Sequence, residues 1–118
     1  MQKSRVPTYC DGFIELYRIK EDEESDFPKI GLKNQEMKIF FREISVFDRL
    51  RFELSQGGKQ VTMKIRIPQY KGVDSNCYCK IDGVFHQVYN AAHIMTDGRY
   101  PETELTLIAT EKKLEVLT

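Results

Sequence analysis

A strict alternation of apolar and polar residues between Val61 and Ile67 constrains the fold of this chain more than any other feature. The apolar positions are Val61, Met63, Ile65 and Ile67, and the polar ones are Thr62, Lys64 and Arg66. Successive side chains of a β-strand point to opposite faces of the sheet, so this pattern predicts a strand with one buried face. Pro68 ends the strand, because proline donates no hydrogen bond to a central ladder.

Two further strands are predicted around the dipeptide Asp82-Gly83. The segments Cys77–Ile81 and Val84–Tyr89 flank it directly, and both of its residues tolerate the positive φ that a tight hairpin turn requires. Near the end of the chain, Thr103–Ala109 alternates again, although its second face is only partly polar. These segments predict an antiparallel arrangement.

The first half of the chain adds two strands and completes the expected fold. Phe13–Ile19 and Lys38–Val46 are rich in aromatic and β-branched residues, which favour strands. Six strands in 118 residues predict a mainly β fold, a small antiparallel β-barrel or sandwich with one short helix in an inserted loop. We expect one domain over residues 1–118, with an N-terminal arm at 1–11.

The expected helix lies in the insertion at residues 45–59. Its apolar residues recur at helical spacing, at Phe47, Leu50 and Leu54. Ser45 can cap the start, with Asp48 three residues later as a variant capping box. Gly57-Gly58 provides a left-handed stop, which leaves a helix of about two and a half turns.

Charge is balanced over the whole chain but not along it. The 18 Lys and Arg residues equal the 18 Asp and Glu residues, which argues against a polycationic DNA-wrapping protein. The region 20–36 is predicted to be a mobile acidic loop, and its acids are Glu21, Asp22, Glu23, Glu24 and Asp26. Between Lys38 and Arg66 the basic residues exceed the acidic ones by four.

The cysteines indicate reduced thiols. Cys10, Cys77 and Cys79 are odd in number, and Met1–Asp11 has no apolar stretch of the kind that export signals carry. Cys77 and Cys79 share one strand face and are expected to be buried or half-buried. Their spacing, with His86 and His93, fits no zinc pattern, so no metal site is predicted. No apolar run is long enough to cross a bilayer, and a soluble, cytoplasmic-type protein is expected.

Catalytic signatures are scarce, so we predict neither an enzyme nor a cofactor. No phosphate-binding loop, nucleophile elbow or dinucleotide motif occurs. Cys79 and His86 fall on neighbouring strands and form a possible dyad, but no third, orienting group is visible. Glu102 and Glu104 share a strand face, which a solvated sheet edge would explain.

A small barrel that binds single-stranded nucleic acid is the alternative that the residues leave open. Lys64 and Arg66 share one strand face, while Phe85 and Tyr89 lie together on another, as in a stacking platform of the OB type. The zero net charge and the absence of interleaved aromatic and basic residues count against it.

The order of these features resembles a known family. Ser45-Val46 precedes the helical insertion, Gln56 and Gly58 follow it, and an alternating strand ends near Tyr70-Lys71-Gly72. Lys80–Phe85 contains Asp82-Gly83 and is similar to a hairpin whose turn is formed by tyrosine or aspartate followed by glycine. Further along the chain, Asp97 precedes the last strand, which includes Glu104–Leu107. Together they resemble the tailed-phage head–tail joining proteins, also called head-closure or stopper proteins, over residues 12–110.

The resemblance has two departures, both near the insertion. Family members often carry an Arg-x-Glu pair and an alanine in the inserted helix, whereas this chain has Asp48-Arg49-Leu50-Arg51 with Leu54. The acidic region after the first strand is also longer.

The resemblance implies a structural protein of the virion. Such proteins form a ring beneath the portal and adaptor, close the DNA channel and offer a docking surface to the tail. The expected partners are therefore portal or adaptor proteins, tail proteins and copies of the chain itself in a portal-matched, dodecameric ring. Transient contact with packaged DNA, a virion location after assembly in the host cytoplasm, and a monomer in isolation are also expected.

Two sets of residues are predicted to make the assembly contacts. The inserted segment is expected to project toward the channel or a neighbour, through Ser45, Asp48, Arg49, Arg51, Gln56, Gly58 and Lys59. By residue type, its basic members suit acidic protein surfaces or DNA phosphates. The acidic residues between Glu21 and Asp26 are the expected complement on an adjacent subunit, since a head-to-tail contact needs two different patches.

Overall fold

The computed structural model describes residues 6–22, 29–46, 48–110 and 114–117. Its elements are β1 (Gly12–Asp22), β2 (Lys29–Ile44), α1 (Asp48–Gln56), β3 (Val61–Pro68), β4 (Cys77–Ile81), β5 (Val84–Thr96) and β6 (Tyr100–Ala109). The strands pair antiparallel in the order β1-β2-β3-β6-β5-β4, and β4 pairs with β1 to close the barrel. The predicted mainly β fold with six strands and one short helix is confirmed.

The first two strands form a hairpin that is longer than predicted. β2 begins at Lys29, so most of the region predicted as a mobile loop at 20–36 is strand, and this prediction was wrong. The error arose because Lys33, Asn34 and Gln35 are polar and the ladder is irregular here, with Glu36 at φ 57. The predicted acidic residues Glu23, Glu24 and Asp26 lie outside the described residues.

Part of this hairpin extends beyond its barrel neighbours, and we call that part the arm (residues 19–22 and 29–32). β1 pairs with β4 only through Glu15–Arg18, whereas its pairing with β2 continues to Asp22. The chain near the C-terminus adds a third, parallel segment to the arm, where Leu32 donates to the carbonyl of Glu115 at 2.8 Å. Gly31 permits this approach, because an added Cβ would lie 2.6 Å from Leu117.

The core fills the interior of the barrel with apolar side chains from all six strands. Its buried members are Ile14, Leu16, Phe41, Ile65, Ile67, Val73, Cys77, Cys79, Ile81, Val88, Leu105 and Leu107. The prediction that Cys77 and Cys79 share a buried strand face is therefore confirmed. Burial raises the pKa of the Cys79 thiol to about 12, so this thiol is neutral at physiological pH.

One predicted face was wrong at its first residue. The ladder between β3 and β6 pairs Val61 with Ile108 and Met63 with Leu107. The β3 strand therefore advances by two residues where β6 advances by one. This β-bulge moves Val61 out of the barrel face that Met63 shares with the core. The alternating pattern does not predict this change, because a bulge inserts one extra residue and thereby exchanges the inward-facing and outward-facing positions on one side of it.

The inserted helix packs on the outside of the barrel, where the bulge displays Val61. Leu54 is buried against Val61 and Ile108, with Leu50 half-buried beside them. Because the helix covers Ile108, the outer face of β6 can carry this apolar residue without exposing it to solvent. The helix occupies nine residues, which equals the predicted two and a half turns.

The two ends of the helix compare differently with prediction. The predicted glycine stop is confirmed: Gly58 has φ +79 and donates to the carbonyl of Ser55, while Lys59 donates to the carbonyl of Leu54. These two bonds are the Schellman pattern, which satisfies the last helical carbonyls. At the other end the helix begins at Asp48, three residues after Ser45, so Ser45 lies outside the N-cap position.

Among the described residues, no helix has the length and apolar character needed to span a membrane.

Candidate assembly surfaces

The inserted segment presents its predicted contact residues mainly to solvent. Arg51, Gln56 and Gly58 are exposed, as is Ser45 in the approach to the helix, whereas Lys59 is half-buried. Arg49 is also exposed, and its Nε lies 2.9 Å from Oε1 of Glu53, one helical turn later. Asp48 is the first helical residue, and its side chain lies outside the described part of the chain.

A shallow cleft lies where the helix meets β3. Its volume is about 390 Å³, and its lining residues are Arg51, Ser55, Gly58, Lys59, Gln60 and Val61. Two of the predicted basic contact residues, Arg51 and Lys59, thus line one cleft at the helix C-terminus. Cations are also favoured there because the helix dipole is negative at that end.

Among the predicted acidic contacts, Glu21 has a described side chain, and it lies at the far end of the β1–β2 hairpin from the inserted segment. Glu21 is exposed near the end of β1, in the arm, whereas α1 follows the opposite end of β2. Asp22 is the last residue of β1, and its side chain is not described. A contact between Glu21 and the inserted segment therefore requires two different copies.

Two carboxylates of β6 offset half of the positive excess of four counted along Lys38–Arg66. Lys64 and Arg66 both lie near Oε1 of Glu104, at 3.6 and 3.3 Å, and all three side chains are at least three-quarters buried. Arg42 pairs with Glu102 on the neighbouring part of the same outer face. The compensating acids come from β6, some forty to sixty residues further along the chain.

Glu102 lies at the centre of a buried polar network. Its carboxylate has no solvent exposure and accepts two hydrogen bonds from Arg42, Nη2 to Oε1 at 2.7 Å and Nε to Oε2 at 3.0 Å. The hydroxyl of Tyr9 donates to Oε2 at 3.0 Å, and the hydroxyl of Thr96 donates to Oε1. The network joins the N-terminal segment to β2, β5 and β6.

This environment keeps Glu102 ionised despite its burial. Burial alone would raise the pKa of Glu102, but the hydrogen bonds from Arg42, Thr96 and Tyr9 and the charge of Arg42 lower it below its usual value. For Tyr9, burial and the hydrogen bond to the Glu102 carboxylate raise the pKa of the hydroxyl to about 12. The interpretation of Glu102 and Glu104 as a solvated edge was wrong.

The carboxylates of β6 also reduce the repulsion between two arginines that are neighbours in the sheet. Arg42 and Arg66 are directly opposite in the β2–β3 ladder, where like charges repel. Each guanidinium has a carboxylate of β6 beside it, Glu102 for Arg42 and Glu104 for Arg66. No sequence signal identified this arrangement, because the pairing depends on which strands are neighbours.

The second feature that sequence reasoning missed is an exposed aromatic pair on the outer face of β1 and β2. Phe13 and Phe40 are directly opposite, with ring centroids 6.1 Å apart in an edge-to-face arrangement. Their exposed fractions are 37% and 55%. The Nζ of Lys38 lies 3.9 Å from the centroid of the Phe13 ring, a cation–π contact. These three residues are named the Phe13–Phe40 patch.

The residues suggested for nucleic-acid stacking do not form a common platform. Phe85 is half-buried and packs edge-on against Tyr17, with ring centroids 5.0 Å apart. Tyr89 is exposed and falls at a register shift between Val88 and Asn90, four residues along β5 from Phe85. Lys64 and Arg66 share the carboxylate of Glu104, which offsets one of their two positive charges.

The possible Cys79–His86 dyad has the right register but the wrong chemistry. The two residues are directly opposite in the β4–β5 ladder. The Nδ1 of His86 is 2.8 Å from the hydroxyl of Thr62, and burial lowers the pKa of His86. A thiol with a pKa of about 12 carries almost no thiolate, the form that acts as a nucleophile.

In the described ranges, no group of three His, Cys, Asp or Glu side chains is placed to hold a metal ion. Comparison of the sequence with protein-family models and with curated proteins found no match.

Proposed function

We propose that this chain is a structural component of a phage head–tail connector, which assembles as a ring beneath the portal or adaptor, closes the DNA channel and docks the tail. One observation carries the proposal. The order of elements is the one that the family resemblance implies, with a short helix inserted between the second and third strands of a small closed barrel. The aspartate-glycine hairpin also lies where the resemblance places it, between β4 and β5.

The surface distribution of groups supports a role in assembly. Apolar side chains fill the interior of the barrel. Large exposed apolar side chains lie on the inserted helix, at Phe52, and on β1 and β2, at Phe13, Ile30 and Phe40, as well as on β5. In this proposal the inserted segment, with Arg51 and Lys59 beside its cleft, contacts the adaptor or the DNA in the channel.

Disruption of the gene in an inducible phage or prophage tests the function. We expect DNA-filled heads and free tails that fail to join, because the docking surface for the tail is missing. Complementation with the native chain should restore joined particles, which is the control for effects on neighbouring genes. Normal joined, infectious particles in the disrupted strain would show that the proposal is wrong.

The acidic residues provide a narrower test. Reversal of the charges at Glu21, Asp22, Glu23 and Glu24 should hinder incorporation of the protein into connectors, because the complement on the next subunit would be repelled. Incorporation is measured by immunoblotting of purified heads. Unchanged incorporation would remove these residues from the interface.

The alternative, a barrel that binds single-stranded nucleic acid, makes an opposite prediction. The isolated chain would then bind an oligonucleotide tightly, with an affinity that falls steeply as salt is raised. A fluorescence-anisotropy titration at two salt concentrations distinguishes the proposals. The pairing of Lys64 and Arg66 with Glu104 favours the connector.

A further inference from the structure

The Phe13–Phe40 patch combines exposed aromatic rings with a nearby cation. Its two rings, 37% and 55% exposed, lie on the paired strands β1 and β2. Lys38 lies directly opposite Glu15 in the ladder, yet its ammonium group is over the Phe13 ring. Lys80, on the other side of Glu15, places a second cation in the same row. The patch therefore suits a partner that is apolar and acidic.

The arm offers the complementary chemistry. Ile30 is 60% exposed and lies directly opposite Glu21, which is also exposed. Val116 is 44% exposed and lies beside Leu32, two residues further along β2. These three residues, Glu21, Ile30 and Val116, form what we call the arm face. In the sequence, Glu21 is also followed by four more acids within five residues.

The two surfaces cannot meet within one molecule. Phe13 and Glu21 are eight residues apart on the same strand, and a strand rises about 3.3 Å per residue, which separates them by about 26 Å. Phe40 and Ile30 are ten residues apart on β2, with a similar separation. Since both strands are hydrogen-bonded to each other along this length, they cannot fold back on themselves.

We propose that the Phe13–Phe40 patch of one copy receives the arm face of a second copy. Glu21 then approaches Lys38 and Lys80, while Ile30 and Val116 cover the exposed aromatic rings. In a ring, each copy gives its patch to one neighbour and its arm face to the other, so the contact is heterologous and repeats from copy to copy. Two copies that exchanged both surfaces at once would instead close as a two-fold dimer, which the ladder described below distinguishes from a ring contact. This inference rests on the proposed function, for which it names the contact between neighbouring subunits.

The size of the surfaces predicts a weak contact. A stable pair of proteins usually buries about 800 Å² on each partner, far more than two partly exposed phenylalanines provide. An isolated pair should therefore dissociate readily. Repetition around a ring and attachment to the portal side would supply the remaining affinity.

Engineered cysteines test which surfaces meet. In a Cys10→Ser background, which removes the exposed native thiol, we combine Ile30→Cys with Phe40→Cys and oxidise at high protein concentration. A disulfide requires Cβ atoms about 4 Å apart, so the pair cannot close within one chain. Each chain carries both cysteines, and we expect a ladder of covalent oligomers on a non-reducing gel.

A matched control uses another exposed phenylalanine. Phe52, 64% exposed on α1, lies outside the patch, so Ile30→Cys with Phe52→Cys measures random collisions. We expect the Phe40 pair to cross-link at least about tenfold faster, a difference that corresponds to a real preference for one surface. Equal rates for the two pairs would overturn the inference.

Charge exchange tests the electrostatic part. Lys38→Glu in the cross-linking chain should slow the ladder about three- to tenfold, because attraction to Glu21 becomes repulsion. Adding Glu21→Lys should restore most of the rate, which loss of folding could not do. If Lys38→Glu leaves the rate unchanged, the acidic arm is not the occupant.

The outcomes separate this inference from the proposed function. A ladder from the Phe40 pair together with normal joined particles after gene disruption would leave the contact in place and refute the connector. Heads that fail to join after gene disruption, with no faster cross-linking of the Phe40 pair than of the Phe52 pair, would support the connector and refute the contact. If labelled oligo-dT binds the native chain and Phe40→Ala abolishes binding while Phe52→Ala does not, the occupant is a nucleic acid and the inference is overturned.

Discussion

Replacement of Arg42 by methionine should destabilise the protein more than any surface charge change. The substitution keeps most of the side-chain volume but removes both hydrogen bonds that Arg42 donates to Glu102. Glu102 has no solvent exposure, so water cannot take the place of the guanidinium without rearrangement. Within the described part of the chain, the hydroxyls of Tyr9 and Thr96 would remain as donors to the carboxylate.

The magnitude follows from the burial of the two partners. Removal of one partner of a buried ion pair costs about 3–5 kcal/mol, because the remaining charge is uncompensated. Arg42 retains 25% of its side-chain exposure, and two hydroxyl donors persist, so the cost should fall toward about 2–4 kcal/mol. Arg49→Met is the matched control, since Arg49 is 89% exposed in its pair with Glu53, and should change stability by less than about 0.5 kcal/mol.

The pH dependence has a definite sign. In the native chain the pKa of Glu102 is lowered, so its contribution is present above the unfolded pKa and is lost as pH falls through the folded pKa. Without Arg42, burial is no longer offset, and the pKa of Glu102 should lie above its unfolded value instead. The loss in free energy of unfolding caused by Arg42→Met should therefore be largest at neutral pH and become smaller as the pH falls.

Urea unfolding followed by far-ultraviolet circular dichroism measures these effects at neutral and mildly acidic pH. A Glu102→Gln change made together with Arg42→Met should recover about half of the lost free energy or more, because no buried charge then remains. A loss of stability in Arg42→Met no larger than in Arg49→Met, or a loss that is equal at both pH values, would contradict a buried ion pair between Arg42 and Glu102.

Three further outcomes are expected. Gly31→Ala should release the segment that ends at Leu117, because the new Cβ would lie 2.6 Å from that side chain; faster proteolysis of the C-terminus, with the barrel intact, measures it. Leu54→Ala should cost about 2–3 kcal/mol in urea unfolding, since Leu54 fills the space between the helix and the barrel, and a cost below about 1 kcal/mol would contradict that packing. Cys10 should react with a thiol reagent at once, while Cys79, fully buried and with a raised pKa, should react only on unfolding; equal rates would place Cys79 at the surface.

The strands that sequence reasoning found are those whose local pattern agrees with their final surroundings. Cys77–Ile81 was predicted with its observed bounds, because a two-residue turn defines one of its ends. The start of β2 was missed, since Lys33, Asn34 and Gln35 have no apolar periodicity and form strand only because β1 is beside them. The local sequence pattern does not predict a strand where hydrogen bonding to a neighbouring strand, and not burial of side chains, holds the backbone extended.

The predicted contact residues illustrate a second difference. Gly58 was identified with its left-handed role, because a helix stop depends on a few adjacent residues. Charge counts along the chain were misleading for Lys64 and Arg66, since the carboxylate that compensates them, Glu104, lies about forty residues away. The Phe13–Phe40 patch likewise required the register of two strands.

The sequence by itself determined that this chain is a small, mainly β protein with a short helix between its second and third strands. Period-two alternation, one turn dipeptide and one glycine stop suffice for that, because each acts over a few neighbouring residues. Only the tertiary structure decided which charges are compensated, where Val61 points and which aromatic rings stay exposed. Those properties depend on the order and register of strands, and a β-bulge or a distant partner changes them without altering the local pattern.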